Sequence, residues 1–428
     1  MSLPDRTGLS RREYLRAVVA VGGASALGAC LAEDGETEDA VPGGTDDPES
    51  LPPRQHAWND ALSTDDDGNV QLPEHHVLVA LSLVDDGEPT DEARETVETS
   101  LRTLERAYEW SNEGLVFTIG YTPAYFERIG SPTAETVDLP EPTALTVRED
   151  PEPDDFDALL HLASDRAEVV LRAEEALFGE VEEVNGVAVE TDLSAVFERL
   201  DDRRRTGFSG PGLPAEHTDT PGVPEEVPED APFFMGFRSG FRANQATEDR
   251  ATIAEGPFAG GTTQHVSSMD LQLETWFKQD SHRQRVSKMF SPEHVDEDLV
   301  GDIGEKLSTS SGLTDERIEA TEEDARTRGV VGHAQKAARA RENGNPLLLR
   351  RDFDTVDGDR PGVHFLSLQR EVEEFVRVRE AMTGADLAGN GVGGVQNNGI
   401  LQYIFVNRRG NYLLPPRPLR ALPSGDPA

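Results

Sequence analysis

The hydrophobic pattern changes period along most of the chain, and those changes outline the elements. Residues 75–84, HHVLVALSLV, form a nearly unbroken apolar run of strand length. Residues 92–110 carry Ala93, Val97, Leu101, Leu104 and Ala107 on one helical face. A second strand is predicted at 115–121, a helix start at 123–129 and a strand at 157–164. A helix at 167–178 and a strand at 186–190 complete this half. Strand–helix–strand, strand–helix–strand is the split βαβ order of a ferredoxin-like sheet. His161 sits inside an apolar strand and reads as a core or wall histidine rather than a ligand.

Residues 210–230 are dense in Pro, Gly, Glu and Asp and mark a boundary between two halves. Beyond it, FFMGFRSG at 233–240 is a glycine-flanked loop after an apolar stretch, with Gly236 and Gly240 able to bring backbone close to a flat or anionic group. A strand is predicted at 269–277, ending near Trp276, then a helix at 282–289 and a largely helical stretch over 314–341. A strand at 362–368, a helix at 371–382 and a strand at 399–406 follow. The second half repeats the mixed pattern of the first. The expected class is α+β: two ferredoxin-like halves, residues 73–215 and 230–422, with antiparallel sheets and peripheral helices.

The chemistry concentrates in HAQKAARARENGNPLLLRR, residues 333–351. A predicted helix end carries His333, Asn343-Gly344-Asn345-Pro346 breaks the chain, and Leu347-Leu348-Leu349 returns as a short strand ending in Arg350-Arg351. Such a turn can set an imidazole and a guanidinium on two walls of one cavity. A haem site needs that pair, one group to ligate iron and one to stabilise charge as peroxide splits. The same stretch also reads as a surface helix end whose cations complement its dipole.

Composition narrows the partners. The chain has 82 acidic and 40 basic residues, a net charge of -42, which argues against nucleic acid. Lysine occurs only at Lys278, Lys288, Lys306 and Lys336. An acidic, lysine-poor surface suits a halophilic setting, where salt screens self-repulsion. Cys30 is the single cysteine, so no intramolecular disulfide or thiolate cluster can form. It ends a leader: Ser10-Arg11-Arg12-Glu13-Tyr14-Leu15-Arg16 and the apolar run 17–29 resemble a twin-arginine export signal, and Leu27-Gly28-Ala29-Cys30 resembles a lipobox. Residues 1–30 are therefore expected to direct export, with lipid attached at Cys30 and the mature chain held on the outer membrane face by that anchor alone. Residues 31–72, acidic and poor in apolar periodicity, are expected to be a disordered tether.

Taken in order, DALLHLAS at 157–164, the loop at Gly236, GGTT at 260–263 with Trp276, His333 with Lys336, Arg351-Asp352 and GVHFLSLQREVEEF at 362–375 resemble the DyP-type (dye-decolourising) haem peroxidase family, with an exported deferrochelatase/peroxidase character. The resemblance spans about residues 73–420. It implies a fold of the dimeric α+β barrel superfamily with haem b in the second half. His333 then matches the proximal iron ligand and Arg351 the distal arginine, with Arg350 the neighbour that could be confused with it. Asp386 is the candidate carboxylate partner for His333. The implied partners are hydrogen peroxide and an unidentified reductant, or haem itself, with room for a homo-oligomer. The chain departs from the family at Ser239, which stands where the distal loop Gly-x-x-Asp-Gly has its aspartate. A serine hydroxyl cannot serve as a carboxylate base. Glu248 or Asp249 could substitute for it. An attenuated peroxidase, a non-catalytic haem or iron carrier, and a haem-free structural module all remain open at this point.

Overall fold

The computed structural model describes residues 40–131, 133 and 137–427. The leader and Cys30 lie outside the described residues, so export and lipidation rest on sequence alone. Among the described residues no helix is long and apolar enough to cross a membrane.

The sheet closes into a barrel, giving the α+β class expected. The N-terminal half contributes β1 (His75–Leu83), β2 (Val116–Tyr121), β3 (Ala158–Ser164) and β4 (Arg205–Phe208). The C-terminal half contributes β5 (Thr262–Leu271), β6 (Phe353–Thr355), β7 (Gly362–Gln369) and β8 (Ile404–Leu414). The hydrogen-bonded order is β2–β3–β1–β4–β6–β7–β5–β8, and β8 pairs back to β2, antiparallel throughout. Around the barrel the halves meet where Phe208 pairs with Asp354 and Leu413 with Tyr121, and the short strand Glu152–Pro153 adds a parallel pairing with β8. The first of these seams is tight enough to need glycine: a Cβ on Gly207 would stand 2.3 Å from the Asp354 carbonyl oxygen.

The N-terminal strands are buried on both faces, which is why they read as apolar runs without alternation. Successive residues divide between two cores. Leu78, Ala80 and Leu159 fill the barrel interior with Val266, Phe353, Leu366 and Tyr412. Val77, Val79, Leu160 and Leu162 face outward. There they pack on Val97, Leu101 and Leu104 of α1 (Asp91–Ala107) and on Val169, Val170 and Ala173 of α2 (Ala167–Leu177). Thr90 caps α1, its side chain accepting from Ala93 N. His161 is a core residue as expected, its Nε2 within 3.0 Å of His76 Nδ1.

Several expectations are corrected. Residues 186–190 do not add a strand to the first half; Val187–Ala188 closes a small hairpin with Glu183–Val184. The strand of that half is β4, four residues just ahead of the predicted boundary segment, too short and polar to show a period. Trp276 lies on a helix, Leu273–Gln279, and the strand precedes it. The stretch 314–341 is broken: Gly329, at φ 66°, ends the helix Thr321–Arg328, and α3 (His333–Ala337) starts afresh after Gly332. His333 thus opens a helix rather than ending one.

Residues 40–72 are not a tether. Gln55, His56 and Trp58 are at most 1% exposed. The Gln55 amide receives Ile119 N at 2.9 Å and donates to Ile119 O at 3.1 Å and Pro415 O at 2.8 Å. It supplies hydrogen bonds at the seam where β8 and β2 share a single pair. Three buried side chains anchor the segment, and its acidic remainder hides them from any periodicity test.

Candidate functional site

The two halves differ in how their helices lie. In the first, α1 and α2 pack directly on the sheet. In the second, α3, α4 (Val372–Thr383) and the loop 233–241 stand away from it and enclose a cavity of about 310 Å³. That volume is in the range of cofactor and ligand sites. The sheet side presents Met269 and Leu271 from β5, Val363 and Phe365 from β7, and Ile404 and Val406 from β8. The covering side presents Phe233, Met235 and Phe237 from the loop, Ala334 and Ala337 from α3, and Phe375, Val378 and Met382 from α4.

His333 faces this apolar space from the first position of α3. Among the described residues, none hydrogen-bonds its imidazole. Burial, reinforced by the cations Lys336, Arg350 and Arg379, brings its pKa down to about 3, so the ring is neutral at ordinary pH. Neutral imidazole is the metal-binding form. Lys336, one turn on, donates to Met382 O at 2.6 Å and to Asn398 O at 3.0 Å and ties α3 to the end of α4. Burial lowers its pKa to about 7. Asp386, expected beside His333, is instead held by Arg339 at 2.7 Å on an exposed edge. It lies after α4 on a short turn, and no chain segment carries it to the cavity.

The arginine on the wall of the apolar cavity is Arg350; Arg351 lines only a second, polar chamber beside it. Side chains alternate along an extended strand. Arg350, Asp352 and Asp354 face the cavity. Arg351 and Phe353 point the other way, into the barrel. Phe353 stacks on His76 at 4.4 Å between ring centroids. Arg351 lies 4.2 Å over the Trp58 ring, donates to His56 O at 2.8 Å and pairs with Glu248 at 3.0 Å. It clamps the N-terminal segment to the barrel. Reading parity outward from the buried Phe353 could have separated the two arginines in the sequence.

Ser239 lies on the cavity wall, its Oγ accepting from Arg350 Nη2 at 3.3 Å. Gly236 and Gly240 both take positive φ, 84° and 77°, as the loop requires. Gly240 lines a second, polar chamber of about 330 Å³. This chamber shares Phe233, Arg238, Ser239, Phe241, Arg350 and Asp352 with the first, and Asn59, Ser63 and Asn69 of the N-terminal segment form part of its wall. Neither proposed substitute for the missing aspartate is available: Glu248 holds Arg351, and Asp249 holds Arg54.

Two further cavity residues, Arg379 and Arg409, share the carboxylate of Glu149, with Arg409 Nη2 at 3.0 Å from it. Among the described residues, Arg379 Nη1 and Arg409 Nε are buried without a hydrogen-bond partner. Arg341, also on the wall, pairs with no carboxylate among the described residues. In so acidic a chain, this gathering of unsatisfied guanidinium donors suits a ligand with an apolar body and acidic groups.

The architecture matches solved structures of DyP-type peroxidases. A dye-decolorizing protein from V. cholerae aligns with 14% identity and TM-score 0.53, over 85% of this chain and 98% of that one. The encapsulated DyP-type peroxidase from Mycobacterium smegmatis aligns with 13% identity and TM-score 0.52, over 82% and 96%. A DypB variant from Rhodococcus jostii, solved in complex with heme, aligns with 13% identity and TM-score 0.51, over 82% and 96%. The chain therefore has the DyP-type α+β fold. By sequence it belongs to a family of unknown function, DUF7405, whose pattern matches residues 73–416. No curated protein sequence matches it.

Proposed function

We propose that the chain binds haem b in the C-terminal cavity and uses it in peroxide-dependent oxidation. The observation that carries this reading is the neutral, unpartnered imidazole of His333 in an apolar cavity that also bears Arg350. Among the described residues no group of three or more His, Cys, Asp or Glu could hold a metal ion. A metal at His333 therefore needs its remaining ligands from elsewhere, as a porphyrin provides. The donor set fits: His333 would ligate the iron, and Arg341, Arg379 and Arg409 would receive the carboxylates. Haem bound there would supply the redox chemistry. The apolar walls exclude water and strengthen the charges inside. Arg350 stabilises negative charge developing on a peroxide oxygen. The Ser239 hydroxyl hydrogen-bonds Arg350 but stays protonated at neutral pH and cannot act as a base. The likeness to peroxidase structures, one of them solved with heme, supports the reading.

Haem titration of the mature protein tests it. The wild type should develop a histidine-ligated Soret band at one equivalent, and His333→Ala should lose it. Its absence from the wild type would sink the proposal. A haem carrier is the second reading, favoured by Ser239 alone; robust steady-state dye oxidation by peroxide would rule that out.

We also propose export through the twin-arginine route with a lipid on Cys30, on the sequence signals at 10–30. Cys30→Ser should move the exported protein from the membrane fraction to the medium. Unchanged membrane retention would count against the anchor.

A further inference from the structure

We propose that Asp352 is the carboxylate that moves a proton between the two oxygens of peroxide, in place of the one absent from the loop 236–240. The inference rests on the haem reading above and adds an acid–base residue to it.

Position is the first argument. Asp352 follows Arg350 by two residues, on the same face of the strand, and borders both the apolar cavity and the polar chamber. Arg350 joins the two candidate residues. Its Nη2 reaches Ser239 Oγ at 3.3 Å, and its Nη1 lies 3.6 Å from Asp352 Oδ2. One guanidinium thus bridges the carboxylate of Asp352 and the serine of the loop. One oxygen is anchored, Oδ1 accepting from Leu366 N at 3.3 Å. The other meets Arg350 only at ion-pair distance, so it keeps capacity for a hydrogen bond. The side chain is 15% exposed, enough to touch a small molecule in the cavity.

Elimination is the second argument. Glu248 and Asp249 are committed to Arg351 and Arg54. Asp354, on the same face, takes Phe234 N at 2.6 Å. Burial, with Asp352 beside it, pushes its pKa well above the usual carboxylate range, and its Oδ2 is already taken by that backbone donor. Burial also raises Asp352, to about 6, with Arg350 opposing the rise. A carboxyl near that value exchanges its proton readily at neutral pH. Arg350 and Asp354 face it from its own segment, Arg238 from the loop, and His333, Arg341, Arg379 and Arg409 from other walls of the apolar cavity. Arg242, Arg351, Asp65, Glu74 and Asp165 line the polar chamber with it; Asp65 is held by Arg238, and Asp165 accepts from Glu74 N.

The polar chamber is the third. Peroxide and protons cross apolar walls poorly, whereas Asn59, Ser63, Asn69 and Gln245 offer polar contacts up to Asp352. The carboxylate accepts the proton of one peroxide oxygen and returns it to the other. The O–O bond breaks, the departing oxygen keeps the bonding pair and leaves as water, and Asp352 ends unprotonated as it began. Bound haem would supply the two electrons that this cleavage needs, and the reducing substrate would return them.

The test uses the full-length mature protein, wild type and Asp352→Asn, loaded with haem. Soret titration reads the haem site and should be the same for both. The rate of cyanide association, followed against pH, should show an inflection near 6 in the wild type and none in Asp352→Asn, because hydrogen cyanide must also give up a proton to bind. Peroxide turnover should fall about 10²- to 10⁴-fold, and adding Ser239→Asp to the Asp352→Asn variant should recover part of it. Should Asp352→Asn not fold, the wild-type cyanide profile decides alone: no inflection between pH 5 and 7 overturns the proposal. Haem uptake with an unaltered profile and turnover in Asp352→Asn overturns this inference and leaves the haem reading standing. No haem uptake by the wild type overturns both.

Discussion

Arg351→Met should destabilise the folded chain by about 3 kcal/mol and lower its melting temperature by roughly 6 °C or more. Arg351 is 2% exposed and makes three contacts at once: the Trp58 ring, the His56 carbonyl and the Glu248 carboxylate. Removing it leaves Glu248 without its cation in a largely enclosed place. The loss sits at the lower end of the range for breaking a buried pair because Glu248 keeps two backbone donors, Trp58 N at 2.7 Å and Asn59 N at 2.9 Å. Methionine fills part of the space over Trp58, so the packing loss is modest. The damage should be local before it is global. Hydrogen exchange over residues 55–62 should accelerate first, since this segment is held by few groups. Haem uptake should persist in whatever fraction stays folded. A variant that melts with the wild type would refute the clamp.

Arg350→Leu should do the reverse. The side chain is 26% exposed and its ion pair with Asp352 is long, 3.6 Å, so stability should change by less than about 1 kcal/mol. Peroxide-dependent oxidation should fall roughly 10²- to 10³-fold, the cost of losing one preorganised charge in a dry site. Haem affinity should hold, because His333 and the guanidinium groups at the other walls remain. Stopped-flow mixing of the haem-loaded variant with peroxide measures the effect directly. Wild-type rates in Arg350→Leu would place the charge stabilisation elsewhere. The two variants together form a double dissociation between neighbours in the sequence, one carrying stability and the other chemistry.

Much of this was legible without coordinates. The continuous apolar runs at β1 and β3 announced strands buried on both faces, and the helical spacing of Val97, Leu101 and Leu104 announced the helix that covers them. The break at Asn343–Pro346 and the cluster of His333 with two arginines pointed to a stretch that lines the C-terminal cavity with His333 and Arg350. Other parts left no trace. β4 is four residues long, beneath any periodic signal, and β5 opens on polar residues whose burial comes from pairing with both β7 and β8. The buried anchors of residues 40–72 are single side chains in an acidic stretch, and a composition argument averages them away. Arg379 and Arg409 come from separate segments far along the chain, and nothing in their local sequence marks them as neighbours of the stretch 333–352.

By itself, then, the sequence determined the class of fold, the two-half order and the short region that bears the histidine and the arginines, because period and breakers are local properties. The tertiary structure decided which arginine faces the apolar cavity, which carboxylate stands near it and why the second half is hollow. Those outcomes depend on barrel closure. Once Phe353 is committed to the interior, strand alternation sends Arg351 inward to Trp58 and turns Arg350 and Asp352 toward His333.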